Sequence, residues 1–241
     1  MAYQKRSIPL IWKVQRRTGA TDVETQCQLL EKLAPWFPDE VDITLIGDGE
    51  FHGVDLMAWL QEQQWHFRLR LHKDTWVRLS DGKWIQLQDL EIEKGDRLYL
   101  QNVLLTRDKC YSPVNLAITW DPDEDDPWYI ATDQEANYYT LLDYSRRMWI
   151  EEMFGDFKEG RFHLQQGRLW DPERLSRLLL ALGIVYTWLM HLGAYVIKRG
   201  GRHFVDRSDR RDCSVPSIGR LWFQRRLNNG ERLRIGFKPY F

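Results

Sequence analysis

The chain has 241 residues, 43% of them hydrophobic and twelve of them tryptophan, which excludes a disordered chain and suits one full domain or a core with an inserted subdomain. Apolar runs fall short of the roughly 18 residues of a bilayer span, no signal-peptide core follows Met1, and Cys27, Cys110 and Cys213 lack metal-ligand spacing, so a soluble cytosolic protein is expected. The formal net charge of −1 hides an asymmetry: residues 196–241 hold twelve Lys and Arg against four Asp and Glu, a pattern of either a polyanion-binding segment or a solvated terminus.

In chain order, Ile8 to Val14 reads as a strand with Pro9 near its start. Thr21 to Trp36 reads as a helix, with Thr21 able to cap it and Glu24 three residues on. Val41 to Ile46 reads as a strand that stops at Gly47-Asp48-Gly49, and Gly53 to Gln64 as a second helix. A β-rich block follows: Phe67 to Leu71, Thr75 to Leu79, Lys83 to Leu87, Arg97 to Thr106, Val114 to Thr119 and Trp128 to Thr132, punctuated by Ser80-Asp81-Gly82 and Lys94-Gly95-Asp96. An acidic loop, Asp121 to Asp126, precedes the last strand. From Gln134 to about Glu159 the pattern is helical. After a loop from Gly160 to Trp170, Asp171 caps a long apolar helix from Arg174 to Ile197, with Pro172 at its first position. This reads as a core helix, too interrupted by Arg177 and His191 to span a membrane.

The helix around Glu151 carries the candidate chemistry. At 100° per residue, Tyr144, Arg147, Glu151 and Lys158 fall within an arc of about 60°, while Trp149, Ile150, Met153 and Phe157 lie opposite. Gly155 leaves room for a close approach. Arg147 and Glu151 are an i,i+4 pair, common on any solvated face; the alternative is a site in which Glu151 binds a metal and Arg147 and Lys158 hold phosphates. Asp48, at the end of a strand, is either a turn former beside Gly49 or a ligand group at a sheet's functional edge.

The spacing Y-x2-R-x3-E-x6-K, met by Tyr144, Arg147, Glu151 and Lys158, resembles the signature of the bacterial insertion-sequence DDE transposases of the Y-R-E-K group, the IS-four family. Leu45-Ile46-Gly47-Asp48-Gly49-Glu50-Phe51 resembles the segment holding the family's second catalytic Asp. Phe162-His163-Leu164, Pro172-Glu173-Arg174-Leu175 and Ser214-Val215-Pro216-Ser217-Ile218-Gly219 are similar to the family as well. The resemblance implies an α/β, ribonuclease-H-like core with an inserted antiparallel β subdomain and a helical, basic C-terminal part. Residues 1–66 would be the first part of the core, 67–132 the insertion, 133–198 the core's C-terminal helices and 199–241 a basic tail. It implies Asp48 and Glu151 as catalytic ligands of Mg2+ (or Mn2+), and double-stranded DNA as partner, met by Tyr144, Arg147 and Lys158. The tail arginines Arg207, Arg210, Arg211, Arg225 and Arg226 are read as contacts to the DNA backbone, and a homodimer is implied. The family's first catalytic Asp has no counterpart here, the first acidic residue being Asp22. The expectation is therefore a C-terminal part of such a transposase, its core incomplete and its first strands missing, with weak metal binding. It would be active when completed, or else a non-catalytic remnant that binds DNA or an intact transposase.

Overall fold

The elements run in chain order as β1 (Ala2–Tyr3), β2 (Arg6–Ser7), α1 (Val23–Leu33), β3 (Thr44–Gly47), α2 (Val54–Glu62), β4 (His66–Arg70), β5 (Trp76–Arg78), β6 (Trp84–Gln86), β7 (Arg97–Leu105), β8 (Tyr111–Thr119) and β9 (Trp128–Thr132). Helices α3 (Tyr138–Ser145), α4 (Met148–Gly155), α5 (Pro172–Lys198) and α6 (Val215–Asn228) follow. This computed structural model describes residues 1–16, 19, 21–160, 171–233, 236 and 237. The resemblance at Phe162-His163-Leu164 lies outside them, as do the loop residues 161–170. Two compact units result: Arg17–Glu151, and Met1–Arg16 together with Glu152–Phe241.

The unit Arg17–Glu151 is built on one seven-stranded sheet in the order β3-β4-β9-β8-β7-β5-β6. Strand period decides its two faces. On β8 and β9, Leu116, Ile118, Tyr129 and Ala131 point to one side, where they join Leu56, Met57 and Leu60 of α2. Ala117 and Ile130 point to the other and meet Leu141 and Tyr144 of α3. Leu56, Met57, Leu60, Leu116, Ile118 and Ile130 are fully buried, each stabilising by about 1.5–3 kcal/mol relative to exposure. The β-rich segment expected as an insertion is not a sheet of its own: β4 lies between β3, to which it is parallel, and β9, to which it is antiparallel. The parallel β3-α2-β4 unit leaves β3 at one edge, with Asp48 immediately beyond its last residue. Helix α1 is capped by Asp22, whose Oδ1 accepts from the Thr25 N–H at 2.8 Å, rather than by Thr21. The Asp22 carboxylate satisfies an orphan N–H donor of the first turn.

In the other unit, Ile8 to Val14 does not form the expected strand. Residues 2–7 make a two-stranded hairpin, Ile8 still exchanges hydrogen bonds with Met1, and no strand follows up to Val14, since Pro9 supplies no ladder donor. Instead it lies along α5: a Cβ on Gly183 would touch the Pro9 ring at 3.4 Å, and Trp12 Nε1 donates to Ser176 Oγ at 3.1 Å. Asp171 caps α5 as expected, accepting from the Arg174 N–H at 2.9 Å. At 27 residues α5 is, contrary to the expectation from sequence, long and apolar enough to cross a bilayer, with half of its most apolar window buried inside the protein. Much of its burial comes from α6, which lies within the segment that the sequence reading took as a basic tail. The Ser214–Gly219 motif is the first turn of α6, with Ser214 as N-cap and Pro216 in the first turn. The two helices close on glycines: a Cβ on Gly193 would lie 1.9 Å from the Val215 carbonyl oxygen, and one on Gly219 2.0 Å from that of Leu189.

Candidate active site

Asp48 owes its position to the glycines on either side. A Cβ at Gly47 would stand 2.7 Å from Phe51 Cβ and 2.8 Å from Leu69, so only glycine lets the chain leave β3 and fold back at once. The Asp48 side chain then caps the short 3-10 turn Gly49–Phe51, its Oδ1 accepting from the Glu50 N–H at 3.1 Å. This leaves Oδ2 turned to Arg147.

The helix expected to run unbroken from Gln134 to Glu159 is broken. Residues 146 and 147 separate α3 from α4, and the junction is wound more tightly: Arg147 N–H donates to Tyr144 O at 2.9 Å and Ile150 N–H to Arg147 O at 2.9 Å, both three residues back. Such winding advances about 120° per residue, so side chains three apart eclipse, and Tyr144 stays on the side of Arg147, whose guanidinium lies beside its hydroxyl. Beyond Gly155 the chain passes into a π-helical turn, Asp156–Gly160. Gly155 itself meets nothing; among the described residues no atom lies within 4 Å of a Cβ placed there. Met153 and Phe157 are buried, as the pattern anticipated.

Tyr144 is at the same time a core residue, only 1% exposed, edge-on to Trp128 with ring centroids 5.3 Å apart. Burial raises its phenol pKa, opposed by the nearby guanidinium groups of Arg147 and Arg70 and reinforced by the Asp48 carboxylate. Its hydroxyl is buried beside the Arg147 guanidinium, in a geometry short of a well-formed hydrogen bond. Tyr144→Phe is accordingly expected to leave thermal stability unchanged or raise it by up to about 1 kcal/mol, because a buried unsatisfied polar group is removed; a clear loss of melting temperature would contradict this placement.

Arg147 joins the two candidate carboxylates. Its Nη2 donates to Glu151 Oε1 at 2.5 Å and its Nη1 lies 3.6 Å from Asp48 Oδ2. The guanidinium is 19% exposed, the Asp48 and Glu151 side chains 44% and 52%. At that exposure each pair contributes about 0–1 kcal/mol, so the arrangement adds little to stability. The i,i+4 pair expected of a solvated face does form, and the same arginine also reaches a residue from the far end of the unit's sequence. A cation bridging two carboxylates at a strand end marks where positive charge is favoured. With hard oxygen donors, the pair fits a divalent ion such as magnesium.

The other candidate residues belong to the other compact unit. Lys158 is exposed in the π-helical turn of the second unit. The acidic residues of the basic segment are each matched: Arg202 to Asp206 at 2.6 Å, Arg207 to Asp209 at 2.7 Å, Arg210 to Asp212 at 2.9 Å, and Arg226 to Glu231. Arg207 holds the Asp209 carboxyl below its usual range. Arg211 is exposed, and Arg225 lies over the Phe204 ring at 5.2 Å. Asp206, Asp212 and Cys213 bring their ligand atoms within 4.8 Å of one another, a grouping that sequence spacing did not reveal. It is already neutralised through Arg202 and Arg210. Two residues beside Asp48 escaped the sequence reading altogether, His52 and His72, which share the Gly49 carbonyl.

A comparison with curated proteins gives no match. The family model described as Transposase DDE domain matches residues 2–188, which covers β3, the Asp48 turn, α3, α4 and the Arg147 bridge, and the chain belongs to that family.

Proposed function

We propose that the chain serves metal-dependent strand cleavage and transfer at the ends of an insertion sequence, on a ribonuclease-H-like core, with Asp48 and Glu151 as the carboxylates that hold Mg2+ or Mn2+. The observation that carries this reading is the single guanidinium of Arg147 placed against both Asp48 and Glu151. A divalent ion, when bound, activates a water or 3′-hydroxyl and stabilises charge at the phosphorus under attack. The chain's own residues do the rest. Asp48 and Glu151 supply hard oxygen ligands. With those carboxylates engaged by a metal, Arg147 would be free to hold a phosphate group, whose two oxygens its planar fork can bind at once. Lys158 gives a further phosphate contact as a point charge. Tyr144 supports Arg147 from the core side. Double-stranded DNA is the partner, taken up by a homodimer.

One observation favours a second reading, a non-catalytic chain that binds DNA or an intact transposase. Among the described residues, no group of three ligand atoms within 4.8 Å includes Asp48 or Glu151, and two carboxylates alone hold magnesium weakly. The purified chain and a duplex carrying the ends of its own element separate the two. Cleavage in magnesium that stops with EDTA and with Glu151→Ala supports the first reading, and equal cleavage by Glu151→Ala sinks it. Binding without cleavage in magnesium or manganese selects the second.

Arg207, Arg210, Arg211, Arg225 and Arg226 are assigned to the DNA backbone. Log affinity should then fall linearly with log salt, and the double substitution Arg225→Ala, Arg226→Ala should reduce the slope by about 1.8, roughly 0.9 per lost phosphate contact. An unchanged slope in an affinity titration removes these two from the interface.

A further inference from the structure

The turn that carries Asp48 is held from outside by two imidazoles. His52 Nδ1 lies 2.5 Å from the Gly49 carbonyl oxygen and His72 Nε2 lies 2.8 Å from the same atom. The rings stack, with centroids 4.0 Å apart and planes 24° from parallel. A carbonyl only accepts, so both nitrogens must carry hydrogen. The bonding hydrogen therefore sits on Nδ1 of His52 and on Nε2 of His72. The two donors occupy both lone pairs of the peptide oxygen directly after Asp48.

The fold brings these rings together over a long loop of sequence. His52 ends the 3-10 turn that Asp48 begins. His72 lies just past β4, whose Leu69 is the register partner of Gly47. Gly49 makes the approach possible: a Cβ there would stand 3.1 Å from His72 Nε2 and 3.2 Å from its Cδ2. The Asp48 turn is thus fixed on one side by Gly47 against Phe51 and Leu69, and on the other by the imidazole pair.

We propose that His52 and His72 are positioning residues for Asp48, holding the Gly49 carbonyl so that the carboxylate keeps the orientation needed to bind metal beside Glu151. The inference rests on the assignment of Asp48 as a metal ligand. Neither histidine touches the substrate; each acts through the peptide that follows Asp48. Partners of this kind, one step removed from the ligand, typically alter metal affinity by tenfold or more.

The test uses the full chain, with Mn2+ as the probe and electron paramagnetic resonance as the readout. His52→Ala and His72→Ala are each expected to weaken Mn2+ binding by about tenfold. His52→Asn places an amide N–H where Nδ1–H was, and His72→Gln one where Nε2–H was; both are expected to restore affinity to within about threefold of the parent. Independently of metal, nitrogen-15 shifts of the imidazoles should report opposite tautomers, Nδ1–H for His52 and Nε2–H for His72. Asp48→Asn separates the two levels of the argument. If it loses Mn2+ while the alanine variants bind like the parent, the positioning role is overturned and the metal assignment stands. If Asp48→Asn binds like the parent, the assignment falls and the positioning role with it. Failure of Asn and Gln to restore binding, or the reverse tautomers, overturns the proposal. Should an alanine variant fail to fold by circular dichroism, the Asn and Gln variants and the tautomers decide.

Discussion

Asp48→Asn and Glu151→Gln are each expected to lower metal-dependent DNA cleavage by about 10³-fold or more, and the double variant by hardly more than either alone. Residues that act as one unit lose their effect together. If both carboxylates hold the same ion, removing either one leaves a site too poor to keep it. The thermal effect should be small. Both side chains are about half exposed and each is paired only with Arg147 among the ion pairs of the described residues, so breaking a pair costs about 0–1 kcal/mol. The combination is diagnostic: a large loss in rate, little change in melting temperature, and strong non-additivity. Additive losses, each of a few-fold, would describe two independent surface carboxylates. Single-turnover cleavage rates and melting curves on the same four proteins decide between them.

Gly219→Ala is expected to be the most destabilising small substitution in the helical unit. Ordinary overpacking of a core costs about 1–3 kcal/mol because side chains can rotate away. Here the obstacle is backbone: the new Cβ would meet the Leu189 carbonyl oxygen at 2.0 Å and the Gly193 nitrogen at 3.0 Å. Neither can move without displacing α5, so the cost should exceed that range, and the melting temperature should drop by about 10 °C or more. Gly193→Ala should behave alike, since its Cβ meets the Val215 carbonyl oxygen. Gly155→Ala is the control, with nothing within 4 Å among the described residues; it should be neutral or stabilise by up to about 1 kcal/mol. Circular-dichroism melts of the three variants test the helix contact. An unchanged melting temperature for Gly219→Ala would mean that α5 and α6 do not close on these glycines.

Much of the fold was legible because the signals were local. The readings Arg97 to Thr106, Val114 to Thr119 and Trp128 to Thr132 lie close to the observed β7, β8 and β9, with β8 beginning three residues earlier than read, and Asp171-Pro172 marked the start of α5. What sequence could not show was which strands join. The β-rich segment reads as a module, yet β4 and β9 make it continuous with β3, and pairing depends on long-range contacts that no local pattern records. The Arg147–Glu151 pair followed from helical spacing, as did the side that Tyr144 shares with Arg147, but the burial of Tyr144 against Trp128 did not, because it depends on a strand that no local pattern places. The packing of α6 was missed because its arginines masked the contact; its signals were Ser214 at the cap and the inward-packed Pro216, Ser217 and Gly219. His52 and His72 offered no motif, and only the β3-α2-β4 connection brings them to one carbonyl.

Iron-directed backbone scission tests the central claim most directly. Fe2+ loaded onto the full chain with ascorbate and peroxide generates radicals at the bound metal, and mass spectrometry maps the cuts. A shared site predicts two clusters of cuts, one beside Asp48 and one beside Glu151, both suppressed by excess Mg2+ and both absent from Asp48→Asn. Cuts confined to the Asp206–Cys213 region, cuts at one carboxylate without the other, or cuts indifferent to Mg2+ would contradict a metal held between Asp48 and Glu151.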